Sequence, residues 1–299
     1  MRIAVCSLMH YRIELPFFEE WIDYHHRIGV DTIYLGIDTS KEFEQYWPSQ
    51  GRENLASHVW SKHPHYDYHS DLSDDEVIEA WQTKLKGLKR GKLRWSFVKF
   101  SLTNCTKRQK TFLKDTYCNR RPEFDFFIFI DGDELLVPQS HERIRPIIRR
   151  LHQMEKMSFF GIKQCRFDKR WIEAGKSHKS VFDITTTRGV TKWGNGGEGD
   201  AFKYIVGPRA AKWCKGWIKK PAIHPSAIKP RFPDHYITIP PEDLLLYHFQ
   251  GWATCKPSEE ANRYGNLETF MRGRQEKEEC EAFEDHRHYE VRKAQLKGE

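Results

Sequence analysis

Three carboxylates fall within four residues at Asp131-Gly132-Asp133-Glu134, directly after the almost wholly apolar run Phe124 to Ile130. Carboxylates this close repel one another unless water or a cation neutralises them. In an extended chain, residues two apart point the same way, so Asp131 and Asp133 can converge on one Mg²⁺ or Mn²⁺. Gly132 lets the backbone turn and a ligand approach. Hard divalent cations take oxygen ligands and leave positions open for phosphate. The apolar run reads as a strand covered on both faces, and open α/β sheets bind ligands at the carboxyl ends of their strands. A metal–phosphate site is the expected chemistry, and an acidic surface turn is the alternative.

Such a strand needs a sheet around it. Arg2 to Ser7 is a short apolar strand. In ELPFFEEWIDYHHRIGV, Pro16 suits a first helical turn, Phe17, Trp21, Tyr24 and Ile28 recur at helical spacing, and Gly29 marks the stop. Asp31 to Ile37 is a second buried strand, and strand, helix and strand in this span make a βαβ unit, favouring a parallel sheet covered by helices. Further along, a third strand is expected at Leu55 to Trp60, helices at Asp75–Gly87, Phe97–Asn119 and His141–Met154, and strands at Phe159–Phe167 and Leu244–Phe249. FDFFIFIDGDELLVP reads as the clearest strand, its apolar run stopping at Asp131, and a helix is expected from Ser258. Between Asp168 and Asp234 the chain is rich in Trp, Lys, Gly and Pro and reads as loops around a site. From Arg272 the tail is charged and poor in apolar residues, which predicts a solvated helix or disorder. The expected class is α/β in one large domain with a loop-rich C-terminal half. Its divisions are residues 1–155, residues 156–271 and the tail 272–299.

Three segments carry a resemblance to a known family. CSLMHYRIELPFFEEWIDYHHRIGVDTIYLGIDTS, DFFIFIDGDELLVP and LLLYHFQGWATCKPSEEANRYG together resemble the family-2-like group of glycosyltransferases of the A-type fold. The resemblance implies a Rossmann-like nucleotide-binding sheet flanked by helices. It also implies a nucleotide-sugar donor such as a UDP-sugar, Mn²⁺ or Mg²⁺, and transfer to a saccharide or other hydroxyl acceptor with inversion. By position, Asp38 matches the carboxylate that holds the nucleobase at the second strand's end. Asp131 and Asp133 match the metal and donor-diphosphate motif, and His248 the place of a further metal or phosphate contact. Met9-His10-Tyr11-Arg12-Ile13-Glu14 departs from the group's Asn-Glu after the first strand, and Asp38-Thr39 from its Asp-Asn.

The residues also suit that chemistry on their own terms. A metal between two carboxylates and a diphosphate stabilises charge as the sugar–phosphate bond breaks. Arg12, Lys203, Lys219 and Lys220 are candidate donor contacts from flexible loops, with ordinary surface charge as the alternative. An inverting reaction needs a base for the acceptor hydroxyl, and Glu198 or Asp200 in GNGGEGD could reach one. Trp171, Trp193, Trp213, Trp217 and Trp252 suit either core packing or stacking on sugar faces. HPHYDYH around His63, His65 and His69 lacks the partners of a zinc site and reads as a solvated loop.

Composition bounds the rest. With 49 Lys+Arg against 42 Asp+Glu the chain is basic by +7, which permits a phosphate-bearing partner without choosing one. Forty-one aromatic rings, 14% of 299 residues, exclude disorder for the bulk. Seven scattered Cys without a C-x-x-C pair fit a reducing compartment. No stretch is apolar enough to span a bilayer and no signal peptide is evident, so a cytoplasmic or membrane-peripheral location is expected. A metal-dependent nuclease or other phosphoryl-transfer enzyme is the second reading. A basic nucleic-acid-binding module ranks last, because basic and acidic residues are interspersed.

Overall fold

The computed structural model describes residues 1–11, 14–15, 18–40, 72–88, 91–101, 105–132, 134–153, 159–167, 186–190, 203–207, 236–248 and 283–285, with 291 and 294. The amino-terminal part alternates strand and helix. β1 (Ile3–His10), α1 (Phe18–Arg27) and β2 (Thr32–Asp38) form the expected βαβ unit. α2 (Asp74–Gly87), β3 (Lys92–Val98), α3 (Cys105–Arg120) and β4 (Phe126–Phe129) follow. Then come β5 (Glu134–Pro138), α4 (Arg145–Gln153) and β6 (Phe159–Phe167). The remaining strands are β7 (Thr186–Val190), β8 (Lys203–Val206), β9 (Tyr236–Thr238), β10 (Leu244–His248) and β11 (Phe283–Asp285).

The sheet runs β11-β7-β6-β8-β4-β1-β2-β3. β4, β1, β2 and β3 are parallel neighbours, and β8 enters antiparallel between β4 and β6. β10 lies parallel to β6, with β5 antiparallel on its other side. Strands from beyond residue 156 therefore continue the sheet begun by the amino-terminal part.

Period-two alternation sorts the strand side chains into two cores. Ile3 and Val5 of β1, Ile33, Leu35 and Ile37 of β2, and Phe126 and Ile128 of β4 pack with α1, α2 and α4. Ala4 and Cys6, Tyr34, and Phe127 and Phe129 of the same strands face the other way and pack with Leu113 and Tyr117 of α3. Both faces are covered, which is why these strands read as unbroken apolar runs. The α3 side carries small residues where the helix presses close. An added Cβ on Gly36 would stand 2.6 Å from the Phe112 ring.

The ends of α1 and α2 are written locally. Gly29 at φ 106 lets its N–H reach the His26 carbonyl while Val30 N–H reaches that of His25, a closed C-terminal cap. Ser73 caps α2: its Oγ accepts Glu76 N–H at 3.3 Å, and Glu76 Oε2 accepts Ser73 N–H at 2.7 Å.

Four expectations change. The helix expected from Phe97 starts at Cys105, and Lys92–Val98 before it is strand β3, with Leu93, Trp95 and Phe97 packed against the core. A half-exposed edge strand lacks the unbroken apolar run that marks β1, β2 and β4. FDFFIFIDGDELLVP is not one strand, since β4 pairs with β1 and β8 whereas β5 pairs with β10. The charged tail contributes a strand, β11, whose three residues are too few for a periodic signal. Finally, Gly132 is not among the described residues with positive φ. Its need is for space, because an added Cβ would stand 2.9 Å from Glu14 Cγ. The strand expected at Leu55–Trp60 and the helix expected from Ser258 lie outside the described residues. Among the described residues, no helix is long and apolar enough to cross a membrane.

Candidate functional site

After β1 the chain moves to one side for β2 and β3, then returns to β1's other side for β4. In open α/β sheets ligands bind where the strand order reverses, outside the carboxyl ends of the flanking strands, and here those strands are β1 and β4. The acidic turn lies there. Glu134 closes it on itself: Asp131 N–H donates to Glu134 Oε2 at 2.8 Å, and Glu134 N–H donates to the Asp131 carbonyl at 3.2 Å.

β5 leaves the turn with one edge on β10, and its other edge is met by side chains of α1. Trp21 Nε1–H donates to the Glu134 carbonyl at 2.8 Å, and Tyr24 Oη–H to that of Leu136 at 2.9 Å. His25 Nε2 accepts Leu136 N–H at 3.4 Å, while its Nδ1 lies 2.7 Å from the Trp21 carbonyl, which makes Nδ1 the protonated nitrogen. Burial pushes the His25 pKa down to about 3. Buried peptide groups left without partners are costly, and these three side chains remove that cost. The helix predicted from WIDYHH thus fixes where the acidic turn ends.

A cation faces the turn from the neighbouring strand. Because β8 runs antiparallel to β4, its first residue lies at the carboxyl end of β4. That residue is Lys203. Its Nζ lies 2.9 Å from Asp131 Oδ2 and 3.4 Å from Glu134 Oε2. The Lys203 side chain is 3% exposed and that of Glu134 0%, while Asp131 keeps 28%. The expectation of a loop lysine is therefore corrected: Lys203 stands on a strand, buried between carboxylates. Gln109 of α3 donates to Asp131 Oδ1, so both oxygens of Asp131 are engaged from opposite sides.

At the end of β2, Asp38 is also engaged. Its Oδ2 lies 2.8 Å from Arg108 Nε, with the two side chains 6% and 2% exposed, and its Oδ1 accepts Ser40 N–H at 2.9 Å. Ser40 Oγ in turn accepts Phe100 N–H at 3.0 Å, just past β3. Two consecutive residues of α3 therefore reach strand ends on either side of β1, Arg108 to the β2 end and Gln109 to the β4 end. At the β1 end, Tyr11 N–H donates to the Asp38 carbonyl at 3.1 Å, and Glu14 accepts His10 N–H at 2.7 Å. The Tyr11 hydroxyl donates to Asp74 at 2.6 Å and the Tyr11 carbonyl accepts from Trp81.

The structure brings Asp38, Asp131 and Lys203 to the carboxyl edge of the sheet. His248 reaches the same edge by register, its backbone opposite Glu134 on one side and Arg166 on the other. Arg12, Asp133, Glu198 and Asp200 lie outside the described residues. Arg108, Gln109 and the closing role of Glu134 went unread in the sequence. Only the basic character of the α3 segment pointed toward them, and a short basic run does not say which residue faces a carboxylate.

For a metal, the donor set is of hard oxygens. Asp131 combines a place at a strand end with partial exposure, which fits Mg²⁺ or Mn²⁺ in chemistry. Among the described residues no three His, Cys, Asp or Glu side chains gather as a metal cluster.

No family model matches the chain, and no curated protein matches it. Among solved structures it is similar to HddC from Yersinia pseudotuberculosis, with 11% identity over 89% of this chain and 99% of that one, at a TM-score of 0.40. It is similar to S. aureus TarS 1-349 in complex with UDP-GlcNAc, with 11% identity over 84% of this chain at a TM-score of 0.42. That match spans 59% of the TarS chain. Mouse xyloside xylosyltransferase 1 in its apo form is similar at 8% identity over 80% of this chain and 85% of that one, with a TM-score of 0.34. At these levels the similarity assigns no role to any residue.

Proposed function

We propose that the chain is a glycosyltransferase moving a sugar from a nucleoside-diphosphate donor, a UDP-sugar, to a saccharide or other hydroxyl acceptor. One observation carries this reading: an acidic turn, backed by a buried lysine, stands at the strand ends where the strand order reverses. The donor lies over the carboxyl ends of β1 and β4, bordered by Asp38 and Lys203, and Arg12 is a further donor contact in this reading. Asp131 and Asp133, with His248 at the same edge, hold Mn²⁺ or Mg²⁺, which neutralises the departing diphosphate when bound.

The chain's own part is positioning and proton transfer. Glu198 or Asp200 takes the proton of the acceptor hydroxyl as its oxygen attacks the anomeric carbon. The bond from that carbon to the diphosphate oxygen breaks, and its electron pair leaves with the nucleoside diphosphate. Attack from the opposite side inverts the sugar.

Calorimetry of the full chain with UDP, with and without Mn²⁺, tests this. The expected result is UDP binding that requires Mn²⁺ and is lost in Asp131→Asn. Equal UDP binding without metal and in Asp131→Asn overturns metal dependence through Asp131. No binding of any nucleoside diphosphate or nucleotide sugar under either condition overturns the donor assignment.

A further inference from the structure

A cation of the chain itself stands beside the acidic turn. Lys203 Nζ stands 2.9 Å from Asp131 Oδ2 and 3.4 Å from Glu134 Oε2, on a side chain only 3% exposed. Glu134 is fully buried and also holds the Asp131 N–H. Buried carboxylates need a counter-charge, and here a strand neighbour provides it. Asp131 Oδ2 is therefore already an ammonium acceptor. Two cations sharing one carboxylate repel, the more so because the Lys203 ammonium is buried.

We propose that Lys203 is the resident counter-ion of the acidic turn, and that a divalent ion takes Asp131 by displacing the Lys203 ammonium. The inference rests on the metal assignment in the function proposed above and adds an exchange to it. Glu134 makes the exchange feasible, because the displaced ammonium keeps a buried carboxylate partner and is not stranded without one. Asp131, partly exposed where Glu134 is fully buried, is the carboxylate handed over. Lys203 is thus a positioning residue for the donor site, setting how readily Asp131 accepts a metal.

The test is Mn²⁺ affinity of the full chain without nucleotide, read by calorimetry or by the resonance signal of free Mn²⁺. The double variant Lys203→Met with Glu134→Gln removes one charge of each sign, so it takes the ammonium off Asp131 at constant net charge. It is expected to bind Mn²⁺ at least ten-fold more tightly than wild type. Glu134→Gln alone leaves the ammonium leaning on Asp131 and is expected to bind at least three-fold more weakly. Affinity in the double variant equal to or below wild type overturns the exchange, as does absence of Mn²⁺ binding in both proteins. Should the double variant fail to unfold cooperatively, Lys203→Arg decides. Its permanent, forked cation is expected to weaken Mn²⁺ binding, and unchanged affinity overturns the proposal.

UDP added to the same titrations separates the two claims. A tighter Mn²⁺ site in the double variant with no UDP binding in any protein overturns the nucleotide reading and supports the exchange. Mn²⁺-dependent UDP binding with equal Mn²⁺ affinities overturns the exchange alone.

Discussion

The Arg108 guanidinium of α3 lies 2.8 Å from the Asp38 carboxylate at the end of β2, with both side chains almost fully buried. Together with Gln109 on Asp131, this pins one helix to strand ends on either side of β1. Asp38, read from the resemblance as a nucleobase contact, thus has both carboxylate oxygens engaged within the protein.

Breaking this pair on one side strands a buried charge. Arg108→Met is expected to destabilise the fold by about 3–5 kcal/mol, because Asp38 loses its counter-charge. Arg108→Met with Asp38→Asn is expected to recover more than half of that loss in urea unfolding. A double variant no more stable than Arg108→Met would show that the pair acts through packing.

Close approach of α3 to β2 depends on the missing side chain at Gly36. A methyl there meets the Phe112 ring at 2.6 Å and Leu8 at 2.8 Å. Gly36→Ala is expected to cost roughly 1–3 kcal/mol by overpacking. It should also weaken donor binding by moving Arg108 and Gln109. Adding Phe112→Leu makes room and is expected to restore most of the stability, as thermal unfolding of the two variants will show.

Acid stability is set in part by His25. Burial holds its pKa at about 3 in the native state, with a smaller lowering from His26 and an opposing contribution from the Trp21 carbonyl. The unfolded chain takes up this proton near pH 6.5. Between those values the unfolded state binds more protons, so stability falls as pH drops from about 6.5 toward 3. The slope is about 1.4 kcal/mol per pH unit for one group. His25→Gln is expected to flatten the dependence between pH 6 and pH 4 by about that amount. An unchanged slope in denaturant titrations would assign the acid sensitivity to other groups.

The catalytic base is tested by kinetics. If Glu198 is the base, Glu198→Gln lowers kcat by about 10²–10⁴-fold with donor affinity unchanged, and Asp200→Asn has little effect. The reverse pattern assigns Asp200. Equal, small effects of both remove the pair from the chemistry.

The local pattern of the chain was enough for β1, α1, β2, the apolar part of β4, β6 and the position of the acidic turn. Each depends on period, capping or a doubly covered strand, and these are properties of neighbours in sequence. Gly29 at the end of α1 is the clearest case, since the turn it makes is fixed within a few residues. Lys203 is the opposite case. In sequence it is one of 49 basic residues. Only the antiparallel insertion of β8 beside β4 carries it 72 positions back to Asp131. Arg108, Gln109 and the edge of β5 met by Trp21, Tyr24 and His25 likewise depend on pairings between distant segments. Sequence spacing determined that Asp38 and Asp131 stand at strand ends. Tertiary packing decided which charges meet, because the free energy of a buried charge depends on what the fold places beside it.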